Sequence, residues 1–75
     1  MKNVKITKIE DNIYILETTG HICKGFYNKI NDSMYEIKLY TWYDKKTKRH
    51  KSEKNKLFKH MESWFCYMLT KYKGV

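Results

Sequence analysis

The sequence has no alanine, proline or glutamine, a single arginine, two cysteines and three glycines, and most of these shortages remove a class of function. Gly20, Gly25 and Gly74 form no phosphate-cradling loop motif. Cys23 and Cys66 lie far apart with no C-x-x-C partner, so neither a zinc spacing nor a redox motif is present, and both read as reduced, buried thiols. His21, His50 and His60 do not supply the short paired spacings on which a zinc site is built, so no metal or cofactor is expected. No nucleophile with its base and no paired carboxylate set is visible, and the chain reads as a binding protein without catalytic residues. No run of about 18 apolar residues occurs, which argues against a spanning helix, and the Trp, Phe and Met residues that would give the basic amphipathic C-terminal segment a membrane-surface role are needed as core, so no membrane partner is expected. After Met1-Lys2-Asn3-Val4-Lys5 the residues alternate, unlike the apolar run of a signal peptide, so the expected location is the cytosol.

What is present is bulk and charge. At 75 residues the chain is expected to form a single domain over 1–75, and so short a domain hides only about 60% of the surface its unfolded form exposes. Aromatic residues, at 16%, supply the volume such a small core needs. Lysine outnumbers arginine fifteen to one, and Ile, Asn, Tyr and Lys make up 34 of 75 residues. These are amino acids of AT-rich codons, a composition associated with low-GC bacteria, their phages and mobile elements. A lysine therefore counts for less here than its position does.

From residue 3 to residue 43 the apolar pattern has period two, broken about every ten residues by turn formers, which predicts an antiparallel meander. The expected strands run from Val4 to Ile9, Ile13 to Glu17, His21 to about Lys29 and Met34 to Tyr43. Gly25 inside the third marks a candidate bulge. Beyond Tyr43 the period becomes 3.6, with Leu57, Phe58, Met61, Trp64, Phe65, Met68, Leu69 and Tyr72 on one face. This predicts an amphipathic helix over about 52–73, capped by Ser52 and ended by Lys71, Lys73 and Gly74. The fold expected is α+β, a four-stranded meander packed on one C-terminal helix, with a small curled barrel as the alternative. Val4, Ile6, Ile13, Ile15, Ile22, Phe26, Ile37 and Leu39 are assigned to the face under the helix. Tyr14, Leu16, Tyr27, Tyr40 and Trp42, with Lys38, are assigned to the open face.

The charge is concentrated. Of the formal net charge of +8, residues 45–60 carry nearly all, holding Lys45, Lys46, Lys48, Arg49, Lys51, Lys54, Lys56 and Lys59 against Glu53 alone. Lys54 and Lys56 fall in the first turns of the expected helix, where the macrodipole disfavours cations by about 0.3–1 kcal/mol each. Such a patch neutralises phosphates and releases condensed counterions, giving salt-sensitive, sequence-independent affinity. Tyr40 and Trp42, on the strand leading into it, are candidate stacking platforms for bases. With one arginine the bidentate guanine contact is scarce, so backbone or shape recognition is expected over sequence reading. A second polar stripe on the helix comprises Lys56, His60, Ser63, Tyr67 and Lys71.

The run Tyr40-Thr41-Trp42-Tyr43-Asp44-Lys45-Lys46-Thr47-Lys48-Arg49, followed by a helix, resembles the hairpin-then-helix of the three-stranded DNA-binding domains at the start of some phage integrases. The resemblance covers about ten residues and lacks the glycine often found where Lys48 stands. No residue role is carried over from it. Two function classes follow from the residues themselves. One is a nucleic-acid-binding accessory or regulatory protein that touches phosphates through Lys45, Lys46, Lys48, Arg49, Lys51, Lys56 and Lys59 and stacks bases on Tyr40 and Trp42. The other is a protein-binding inhibitor or modulator, of the kind phages direct at a host enzyme or defence system. It would use Tyr14, Leu16, Tyr27, Tyr40 and Trp42, or the basic patch on an acidic protein surface. The same aromatic face is a candidate homodimer interface.

Overall fold

Residues 3–72 are described by the structure, a computed structural model. The alternating segments form β1 (Lys5–Glu10), β2 (Ile13–Glu17), β3 (His21–Asn31) and β4 (Met34–Asp44), followed by a short fifth strand, β5 (Arg49–Lys51), and a helix, α1 (Phe58–Tyr72). The strands pair antiparallel in the order β1-β2-β3-β4-β5, so each lies beside its neighbour in sequence. The α+β class is as expected, with one strand more. Three polar residues show no alternation, and β5 exists because the turn after Asp44 folds them back onto Trp42, Tyr43 and Asp44.

The helix starts later than expected. Ser52 accepts a hydrogen bond from Lys54 N–H and caps only a turn, whereas Asn55 Oδ1 accepts from Leu57 N–H at 2.8 Å and leads into α1. Both belong to the residue class that caps helices, and the apolar period resumes only after the second. Lys54 therefore precedes the helix, and Lys56 stands at its threshold.

The buried core consists of Tyr14, Leu16, Cys23, Tyr27, Leu39 and Trp42 from the sheet against Phe58, Phe65, Met68 and Leu69 from α1. Val4, Ile6, Tyr35, Ile37, Met61 and Trp64 pack around it. Half of the expected face assignment is thus reversed. Val4, Ile6, Ile37 and Leu39 lie on the helix side as read from the sequence, but Ile13, Ile15, Ile22 and Phe26 are only half-buried and stand outside the core. Tyr14, Leu16, Tyr27 and Trp42, assigned to the open side, are under the helix.

The physical reason lies in what each row of the sheet would bury. Leu16 pairs with Ile6 and Cys23, and Cys23 with Trp42, a row that is apolar throughout. Ile15 pairs with Thr7 and Lys24, and Phe26 with Lys38, so covering that side would strand lysines away from water. A bulge then changes the parity of β4: Lys24 faces Thr41 while Gly25 faces Leu39, leaving Tyr40 unmatched. Leu39 and Trp42, three residues apart, consequently share the core face.

The helix is fastened to the sheet at its two ends. Glu62 Oε2 accepts a hydrogen bond from Leu39 N–H at 2.9 Å, occupying a backbone donor beside the bulge. Near the other end the Tyr27 hydroxyl lies 3.3 Å from Thr70 Oγ1. Among the described residues no helix is long and apolar enough to cross a membrane.

Candidate nucleic-acid interface

The β4–β5 hairpin is built by Asp44. Its Oδ1 accepts from Lys46 N–H at 2.9 Å and Thr47 N–H at 3.2 Å, and its carbonyl accepts from Lys48 N–H at 2.8 Å. These bonds, Thr47 N–H foremost and then Lys46 N–H, with the charges of His21 and Lys51, hold the Asp44 carboxyl below its ordinary value against a weaker effect of burial. Lys48 takes the left-handed conformation at φ 58°, the place where a glycine would turn the chain at least cost. The tip of the hairpin thus presents Lys46, Lys48 and Arg49, all exposed.

Lys45 is engaged differently. Its Nζ lies 2.7 Å from Glu17 Oε2 and donates to Thr18 O at 2.9 Å, joining the hairpin to the β2–β3 turn. The hydrogen bond and charge of Lys45, helped by Lys5, hold the Glu17 carboxyl below its usual range. Of the expected phosphate contacts, Lys45 is the one committed to an internal ion pair. Lys46, Lys48, Arg49, Lys54, Lys56 and Lys59 are exposed and Lys51 is half-buried. None of these seven is in an ion pair among the described residues.

The carboxylates are arranged in the opposite way. Asp11 lies 3.9 Å from Lys8, Asp32 3.4 Å from Lys29, and Glu36 accepts from Asn28 at 3.0 Å. Asp44 caps the hairpin, Glu17 holds Lys45, and Glu62, the one carboxylate of α1, is turned onto the sheet edge. The solvent-facing stripe Lys56, His60, Ser63, Tyr67 and Lys71 accordingly carries no negative charge. There Lys71 Nζ lies 3.3 Å from the Tyr67 hydroxyl and 5.6 Å from its ring centroid, and that hydrogen bond raises the Lys71 pKa above its ordinary value.

Of the two expected stacking rings, only Tyr40 is available, at 44% exposure. Trp42 is 5% exposed and is packed between His21, at 4.7 Å between ring centroids, and Trp64, at 5.4 Å. Tyr14, Leu16 and Tyr27 are likewise core and cannot form a partner surface. Sequence reasoning missed the rings that take their place. Tyr43 and His50, paired across β4 and β5, lie side by side on the uncovered side with centroids 4.8 Å apart and ring planes tilted by 52°. Phe26, between Ile13 and Lys38, lies on the same side. The sequence signal that could have found this face is Lys24, which shares the parity of Ile22 and Phe26 along β3. Tyr40, Lys38, Thr41, His50 and Lys51 line a groove of about 410 Å³ where this face meets the basic segment.

The remaining chemistry-bearing side chains do not converge. Among the described residues no three His, Cys, Asp or Glu side chains gather as a metal-ligand set. The Cys23 thiol donates to Leu16 O at 3.5 Å, and burial pushes its pKa up to about 12. Compared with protein-family models, with curated proteins and with solved structures, the chain finds no match in any of the three.

Proposed function

We propose that this chain binds nucleic acid, with Lys46, Lys48, Arg49, Lys51, Lys54, Lys56 and Lys59 contacting phosphates. The observation that carries the reading is the unequal treatment of the two signs of charge. Among the described residues these seven cations stand along one hairpin and helix start without ion pairs, while six of the eight carboxylates have a partner within hydrogen-bonding or ion-pairing distance. A fold that spends its carboxylates locally leaves a positive field at one place, and an anionic polymer is the ligand that gains most from it.

Electrophoretic mobility shift against salt concentration tests the reading. The logarithm of the binding constant falls linearly with the logarithm of salt, and the slope shrinks by about 0.7–0.9 for each phosphate contact removed. Lys46→Gln, Lys48→Gln and Arg49→Gln reduce it together, whereas Lys45→Gln leaves it nearly unchanged because Glu17 holds that side chain. Absence of binding at about 100 mM salt refutes the proposal. An acidic protein is attracted by the same field. It would be recovered from lysate as one stoichiometric species that nuclease treatment does not release.

A further inference from the structure

Resting on that reading, we infer that the ligand is single-stranded nucleic acid, laid across the uncovered face of the sheet with its bases on Tyr40, Tyr43, His50 and Phe26. The argument begins with what those rings can be used for. Tyr43 and His50 stand side by side at 4.8 Å on the face that α1 does not cover, and Tyr40 is 44% exposed beside them at the bulge. A flat aromatic ring on a sheet offers a π-face, and only a base freed from its own stack can accept it. Within a duplex every interior base is already stacked on both sides, so these rings would be of no use to it.

The charges on this face agree. Lys24 pairs with Ile15 and Thr41, and Lys38 with Phe26, so cations are interleaved with the rings. Of the carboxylates beside this face, Glu17 is engaged by Lys45 at 2.7 Å and Glu36 by Asn28 at 3.0 Å, while Glu53 lines the groove with Lys38 and Tyr40. An alternation of rings with lysines matches the alternation of bases with phosphates along an extended strand.

Continuity supplies the third argument. His50, a ring of this face, is the middle residue of β5, with Arg49 before it and Lys51 after it. A strand whose bases lie on the sheet can therefore pass its backbone directly onto the hairpin and the loop toward Lys54 and Lys56. Sequence reading in a duplex would instead call on bidentate arginines at guanine, and this chain has one arginine. A sheet of this width accommodates about two or three stacked bases.

The test is fluorescence anisotropy of the full chain with labelled oligo-dT of about 12 nucleotides, the matching oligo-U, and a duplex of the same length. Either single strand is expected to bind at least about tenfold more tightly than the duplex, and the ratio of the two separates DNA from RNA as the source. Tyr40→Ala and Tyr43→Ala each weaken single-strand binding by about tenfold and leave duplex binding unchanged. Replacement of Lys46, Lys48 and Arg49 weakens both alike. Circular dichroism establishes that each variant is folded, and ultraviolet cross-linking of oligo-U carrying 5-iodouracil is expected to mark Tyr40 or Tyr43. Equal or tighter binding to duplex, or folded ring variants with undiminished single-strand affinity, overturns the inference while leaving the phosphate-binding role standing. Failure of all three probes overturns both. A concentration-dependent dimer that loses single-strand binding as it forms would assign the face to a second copy and overturn it as well.

Discussion

Gly25 makes room for Phe65: a Cβ on Gly25 would stand 2.6 Å from Cε2 of the Phe65 ring and 2.5 Å from the Lys38 carbonyl oxygen. The ring itself is fully buried. The helix therefore approaches β3 at the one position where the strand has no side chain, and the bulge opposite it at Tyr40 belongs to the same accommodation. Gly25→Ala is expected to destabilise the fold by about 1–3 kcal/mol through overpacking, because a backbone carbonyl cannot move aside as a flexible side chain can. Phe65→Ala is expected to cost about 3–5 kcal/mol from the opposite cause, a cavity. Urea unfolding of the two variants measures both, and a neutral Gly25→Ala would show that the helix stands further from the sheet.

The reversed faces give adjacent residues opposite fates. Leu16→Ala is expected to cost about 2–5 kcal/mol. Its neighbour Ile15, whose side chain points away from α1, is expected to tolerate serine at about 1 kcal/mol or less. Thermal unfolding followed by far-ultraviolet circular dichroism compares them. The sequence-based assignment, which put Ile15 under the helix, requires the reverse order.

Acid sensitivity follows from the two perturbed carboxyls. Glu17 and Asp44 have folded pKa values below their unfolded ones, so the folded chain binds fewer protons over that interval. Their stabilisation is complete above the unfolded values, near pH 4, and is lost as pH falls through the lowered folded values. The urea midpoint is expected to be level from pH 7 to about 5 and to decline below about 4. Glu17→Gln flattens that decline, since it removes one of the two groups whose protonation produces it. An unchanged decline in this variant would show that the Lys45 contact has no energetic weight.

The two thiols should differ in reactivity. Cys23 is 1% exposed with its pKa near 12, whereas Cys66 is partly exposed on α1. At about pH 8 a disulfide reagent is expected to modify one thiol per chain quickly, and the second only as fast as the chain opens. Cys66→Ser removes the fast phase, and Cys23→Ser removes the slow one. Equal rates for the two thiols would place Cys23 within reach of solvent.

Much of the architecture was legible because it is written in spacing. The strand at 13–17 and the helical period through Tyr72 were read directly from alternation and from the 3.6-residue repeat. The face of β2 was not, because Ile13 and Ile15 alternate with Tyr14 and Leu16, and a strand apolar on both sides carries no parity signal. Only the cross-strand partners decide, and register depends on turns and bulges that single-strand patterns do not encode. The bulge itself was announced by Gly25 within β3, but its extra residue falls on β4 at Tyr40, and the resulting change of face between Leu39 and Trp42 is not encoded locally. The basic segment was legible as a charge run. Its division into a structural Lys45 and unpaired neighbours required the position of Glu17, and the replacement of Trp42 by Tyr43 and His50 as surface rings required β5.

The neighbour-to-neighbour order of the strands bears on how the chain is made. A meander can zip up hairpin by hairpin as residues emerge from the ribosome, since each strand finds its partner without waiting for distant sequence. The helix, however, follows every strand, and it alone covers Leu16, Cys23 and Leu39. During synthesis the sheet is therefore complete but uncovered on its greasy side until Phe65 and Leu69 are released. A nascent chain stalled or truncated before Phe58 would be a ready client for chaperones and a seed for aggregation.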